Sequence, residues 1–120
     1  DFIKKDNNDQ SYDIVDSHKF VCGIDSTLLY EALARKSRVG VFYARKCFIK
    51  QLKNIKFGWP ANLNTEGLFW THDIKEDEIY RVLNNILYLS DNDWFLKTNS
   101  VIDKIMNYDD KNTIIKNIIK

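Results

Sequence analysis

The chain has 120 residues, 44% of them hydrophobic and 29% charged, which is enough for a single domain with a core of its own. Its 18 Lys and Arg stand against 17 acidic residues, so a net charge of +1 gives no electrostatic reason to bind a polyanion, and nucleic acid is excluded as a first expectation. Cys22 and Cys47 lack C-x-x-C spacing and His18 and His72 do not complete a ligand set, so no metal or cofactor is expected and both cysteines read as reduced and structural.

Residues 1–10 are polar after Phe2 and Ile3 and read as a frayed strand followed by a loop. Residues 11–18 suit a short helix with Tyr12, Ile14 and Val15 as its apolar members. The run FVCGI, residues 20–24, is short, apolar and rich in strand formers, so it predicts a buried strand. From Leu28 the apolar residues Leu28, Leu29, Ala32 and Leu33 fall at helical spacing. Residues 38–44 are strand-like again, which closes a strand, helix, strand unit whose two strands are expected to be parallel.

Residues 46–56 are basic with scattered apolar positions, consistent with a short helix or a loop, and FGWP at 57–60 punctuates the chain. The aromatic stretch GLFWT, 67–71, predicts a third strand or a strand-like link. Beyond it the pattern is helical. Acidic residues between Asp73 and Glu78 suit a helix N-terminus, and Ile79, Val82, Leu83, Ile86 and Leu87 form one apolar stripe. Ser90-Asp91-Asn92 breaks the pattern and caps a further helix, with Trp94, Phe95, Val101, Ile102, Ile105 and Met106 on its buried side. Asp109 and Asp110 break it again. Ile114, Ile115, Ile118 and Ile119 then share a face that should dock on the domain or on a partner helix. The fold class is therefore α/β: a Rossmann-like three-layer half-domain with a short parallel sheet and a helical C-terminal half.

Function is sought at the junction of the first strand and its helix, because ligands of parallel α/β sheets bind beyond the carboxyl ends of the strands. There Asp25, Ser26 and Thr27 precede the first turn, whose amides lack intrahelical partners and carry the positive end of the dipole. Small hydroxyl residues let a phosphate approach those amides. No Glu or Gln stands three residues on, so a capping box does not consume them. Glu31, about 6 Å further along the axis at roughly 1.5 Å per residue, is offset from Thr27 as ribose hydroxyls are from a diphosphate. The same residues also fit a plain N-cap and an i,i+4 pair between Glu31 and Arg35, and spacing does not choose between the two readings. Arg45 and Lys46 follow the second strand at the same edge, where cations would neutralise a departing diphosphate. His18 and His72 read as surface or capping residues before catalytic ones, and Trp59, Trp70 and Trp94 as core before stacking platforms.

The segment IDSTLLYEALA, 24–34, resembles one in surface-carbohydrate biosynthesis proteins and related glycosyltransferases of the two-Rossmann-domain (GT-B) type, where a strand ends in a Ser/Thr pair and the next helix carries YEALA or FEAL. FGWP, GLFWT and MNYDDKN (106–112) resemble the C-terminal end of the same bacterial proteins, so the likeness spans residues 11–120. The resemblance implies a nucleotide-sugar-binding C-terminal domain, residues 1–120, of a larger two-domain enzyme in capsule or lipopolysaccharide synthesis. Ser26 and Thr27 would contact the diphosphate and Glu31 the ribose. The catalytic base and the acceptor would come from a missing N-terminal domain, and the isolated chain would be inactive. The start at Asp1 without an initiator Met agrees with an excised piece. With no membrane-spanning run and no signal peptide, the expected compartment is the cytoplasm at the inner face of the membrane, with only peripheral membrane contact. The rivals are a polyol-phosphate transferase or sugar-nucleotide epimerase on the same fold, and a non-catalytic interaction module that docks through its terminal Ile stripe.

Overall fold

The computed structural model describes residues 9–49, 51, 54–106, 109, 111 and 113–119, so the expected strand at Phe2 and Ile3 lies outside the described residues. In chain order the elements are helix α1 (Asp9–Ser17), strand β1 (Phe20–Gly23), helix α2 (Thr27–Ala34), strand β2 (Arg38–Phe42), the four-residue helix α3 (Arg45–Phe48), strand β3 (Trp70–Thr71), and helices α4 (Glu76–Tyr88), α5 (Asp91–Ile105) and α6 (Thr113–Ile119). The three strands form one parallel sheet in the order β1-β2-β3. Phe20 pairs with Arg38 and Gly23 with Val41, so the expected parallel pair joined by a helix is what the chain forms. The strands are shorter than expected. β3 is reduced to two residues because Glu66 bridges back to Thr71 and the Gly67 amide donates to the Trp70 carbonyl, a turn that occupies the groups a longer strand would use.

Side chains alternate across a sheet, and the glycines show which helix covers which face. A Cβ at Gly23 would meet Leu29 of α2, whereas one at Gly40 would meet Val82 and Ile86 of α4 and Cys22 of β1. Val39 and Val41 therefore lie on the α2 face and Gly40 on the α4 face. The result is three layers, α2, sheet and α4, in a small Rossmann-like α/β half-domain. Central strand β2 is buried from Arg38 to Val41, as a strand covered on both faces must be. After α4 the chain turns through Ser90, whose hydroxyl caps α5 by accepting from the Asp93 amide, and α5 returns to pack on α2. Trp94, Phe69, Trp70 and Phe57 fill the space between these layers, with ring centroids 4.9 to 5.9 Å apart.

Arg38 is only 5% exposed, and its burial is compensated. It donates to the Ile86 carbonyl at 3.0 Å and to Asp91 at 2.6 Å, and its guanidinium lies over the Trp94 ring. One side chain thus ties the start of β2 to the end of α4 and the start of α5. On α6, Ile118 and Ile119 are exposed, so the expected docking of that stripe on the domain does not involve them. Both cysteines are free, as expected of reduced thiols, and both are exposed.

Two outcomes test this architecture. Gly40→Ala places a methyl 3.1 Å from Cys22 Sγ and Ile86 Cδ1, and should cost about 1–3 kcal/mol in urea unfolding as α4 is pushed off the sheet. The hydrogen bond from Arg38 is the main cause holding the Asp91 carboxyl below its ordinary 3.8. A depressed folded pKa contributes stability that is complete above the unfolded value and is lost as pH falls through the lower folded value. Thermal melting followed from about pH 5 downward should show an acid-side loss of stability that Asp91→Asn makes smaller.

Candidate functional site

Because the strands are parallel, the residues after β1, β2 and β3 emerge at one edge of the sheet, and there a cleft of about 560 Å³ opens. Asp25, Ser26 and Thr27 come to it from the end of β1, Tyr43 and Arg45 from the end of β2, and Tyr30 from the sheet side of α2. Lys56 and Trp59 close it from the segment before β3, and Ile105 and Met106 from the end of α5. A volume of this size with an apolar wall and a few convergent polar groups is usual for a small-molecule site.

Asp25 organises the polar wall. Its carboxylate accepts from the Tyr30 hydroxyl at 3.2 Å and pairs with Arg45 Nε at 3.3 Å, while its carbonyl accepts from Arg45 Nη2 at 2.8 Å. The Tyr30 oxygen in turn accepts from the Gly58 amide at 3.1 Å. Gly58 has φ of +81°, and a side chain there would run into Leu63. A single phenol therefore joins the two walls of the cleft, and Asp25 acts as a positioning residue with its charge compensated. Burial pushes the Tyr30 phenol up to about 12, with the neighbouring Asp25 charge adding to the rise. Burial also raises Tyr43, again with Asp25 contributing. Both hydroxyls stay protonated at neutral pH, and that of Tyr30 donates to Asp25.

Ser26 is the N-cap of α2, with its hydroxyl accepting from the Leu28 amide at a long 3.3 Å. Thr27 follows at the first helical position on the cleft wall. Together with Arg45, about half exposed, and Lys56, they give the polar wall net positive character around a compensated Asp25.

Four of the five expected residues, Asp25, Ser26, Thr27 and Arg45, thus meet in one cleft, and Glu31 is elsewhere. Its carboxylate lies beside the Tyr12 phenol, whose pKa it raises, and 4.0 Å from Arg35. Neighbouring helix residues diverge by about 100°, so Tyr30 on the sheet side reaches the cleft while Glu31 turns toward α1. Tyr30 and Tyr43 were not legible as site residues. A tyrosine inside an apolar helix or at a strand end looks like core, and only the position of its hydroxyl distinguishes it. Of the tryptophans, Trp70 and Trp94 are core, whereas Trp59 is 73% exposed on the rim. His18 Nδ1 closes the end of α1 on the Ile14 carbonyl. His72 is buried, accepts from the Phe57 amide and stacks on Tyr43, which makes it a brace behind the cleft.

Tyr30→Phe removes the bond to Asp25 and leaves the part-buried Gly58 amide without its acceptor. A loss of about 1–3 kcal/mol in chemical unfolding is expected, with backbone amide shifts concentrated at Asp25 and Gly58.

Residues 1–120 match the model of a family described as "putative O-antigen biosynthesis protein", and the chain belongs to that family. No curated protein and no solved structure matches it. Among the described residues no helix is long and apolar enough to cross a membrane, and no three His, Cys, Asp or Glu side chains group as a metal site.

Proposed function

We propose that this member of an O-antigen biosynthesis family binds the nucleoside diphosphate of an activated sugar in the cleft at the carboxyl edge of its sheet, as the donor-binding part of a glycosyltransferase. The observation that carries the reading is the convergence of the α2 N-terminus with Arg45 and Lys56 around one cavity. A diphosphate would take the amides and hydroxyls of Ser26 and Thr27 on one side and the Arg45 guanidinium on the other, an arrangement suited to an oxyanion without a metal. Trp59 at the rim offers a face for the base or the sugar.

In the reaction, an acceptor hydroxyl attacks the anomeric carbon while the bond to the diphosphate breaks. Arg45, Lys56 and the helix terminus then stabilise the charge that accumulates on the leaving oxygen. Asp25 holds Arg45 in place rather than touching the ligand. A base for the acceptor is not assigned within the cleft, since Asp25 is paired with Arg45 and the hydroxyls of Tyr30 and Tyr43 remain protonated. The acceptor side of the reaction is proposed to come from a further domain, with residues 1–120 serving the donor.

Titration of the 120-residue chain with uridine or cytidine diphosphate should shift the amides of Ser26, Thr27 and Leu28. Arg45→Ala should weaken that binding about tenfold or more, which is the loss of one charge-assisted hydrogen bond of roughly 1.5 to 3 kcal/mol. Glu31→Ala should leave the affinity unchanged, because its carboxylate faces Tyr12. If no amide at the junction moves with any nucleotide at millimolar concentration, Ser26 is a helix cap and the donor assignment is wrong.

A further inference from the structure

From Ala32 to Thr65 the chain carries eight Lys or Arg and no acidic residue, whereas the remainder holds ten cations and seventeen acids. A net charge of +1 conceals this segregation. Five of the eight, Arg45, Lys46, Lys50, Lys53 and Lys56, fall within twelve residues of sequence. Over the same stretch large apolar side chains face outward: Phe48 is 81% exposed, and Ile49, Ile55 and Trp59 are exposed as well. Arg45 and Phe48 are three residues apart in α3 and so lie on one side of it, which puts Phe48 beside the cleft wall that Arg45 forms. Ile55, Lys56 and Trp59 stand along the same cleft.

We propose that this rim, α3 together with residues 55–59, seats on an anionic bilayer surface. Arg45 and Lys56 meet headgroup phosphates, Phe48, Ile55 and Trp59 enter the acyl boundary, and the cleft then opens at the membrane plane. Interleaved cations and bulky apolar side chains are what an interfacial segment requires, and an anionic leaflet supplies the complementary charge. Tyr80 and Tyr88 lack this complement, since they share α4 with Glu76, Asp77 and Glu78, and so does Leu96, which shares α5 with Asp91 and Asp93; Ile118 and Ile119, exposed on α6 with Lys116, do not line the cleft. A second copy of the chain is disfavoured as occupant, because two such rims repel. The inference stands on the rim and does not depend on nucleotide binding in the cleft.

The test is partition of the 120-residue chain onto vesicles of phosphatidylglycerol with phosphatidylcholine, compared with phosphatidylcholine alone, by flotation and by tryptophan emission, in which Trp59 is the exposed reporter. Binding to the anionic vesicles alone is expected, with a blue shift, a steep loss with added salt, and a drop of about tenfold for Phe48→Ser. Tyr88→Ser on α4, equally exposed, should bind as the parent does. Absence of binding to anionic vesicles would overturn the proposal, as would equal binding to neutral ones or an equal loss with Tyr88→Ser. Self-association abolished by Phe48→Ser in the absence of vesicle binding would make the rim an interface between copies and would overturn it too. The nucleotide titration reads Ser26 and Thr27 and the vesicle assay reads the rim, so failure of either is separable from failure of the other.

Discussion

Helix α4 closes on the sheet because residue 40 has no side chain. Val82 and Ile86 rest within 3.1 to 3.4 Å of where a Cβ would stand on the central strand, a separation that any larger residue would increase. The remaining architecture depends on that approach. It brings the Ile86 carbonyl to Arg38, lets the guanidinium reach Asp91 across the turn, and so fixes where α5 begins. From there Trp94 packs against Phe69, just before the third strand, and α5 returns to α2 with Ile105 and the C-cap Met106 at the carboxyl edge. A position at one edge of the sheet is thus set by packing at the other.

The cleft is held by polar contacts of the opposite character. Asp25 would be a poor neighbour for a phosphate if its charge were free, but it is bound to Arg45 and Tyr30 and acts as the post from which both are hung. Tyr30 then carries the constraint across to Gly58, so the segment before the third strand, with no regular structure of its own, still presents Lys56 and Trp59 at a defined place. Burial holds both phenols in the protonated form, so neither serves as a base near neutral pH. In the proposed function such a site would position and neutralise an anion.

The proposed donor role rests on membership of an O-antigen biosynthesis family and on a positively lined cleft at a helix N-terminus. The basic, apolar-studded rim adds a geometric element. If both proposals hold, the cleft opening beside outward-facing Phe48 and Trp59 would meet its ligand at a membrane surface, where local concentration adds to affinity.

Periodicity by itself determined the order and type of α1, β1, α2, β2, α4 and α5, the parallel pairing of β1 with β2, and the helical second half, because alternation and three-to-four spacing are local properties of the chain; it left α3 open between helix and loop and β3 between strand and link. It also placed Asp25, Ser26, Thr27 and Arg45 at one edge, since parallel strands present their carboxyl ends together. Only the tertiary structure decided the rest. The length of β3 depended on a turn through Glu66 and Gly67, and the role of Tyr30 depended on where its hydroxyl emerged between Asp25 and Gly58. Glu31, four residues past Thr27, was drawn to Tyr12 and Arg35 by α1, an element that no spacing rule places beside it. Composition hid the basic rim as well, because net charge sums over the chain whereas a field acts from a surface. Sequence carries what depends on neighbours along the chain; the direction in which a side chain points is set by neighbours that arrive from elsewhere.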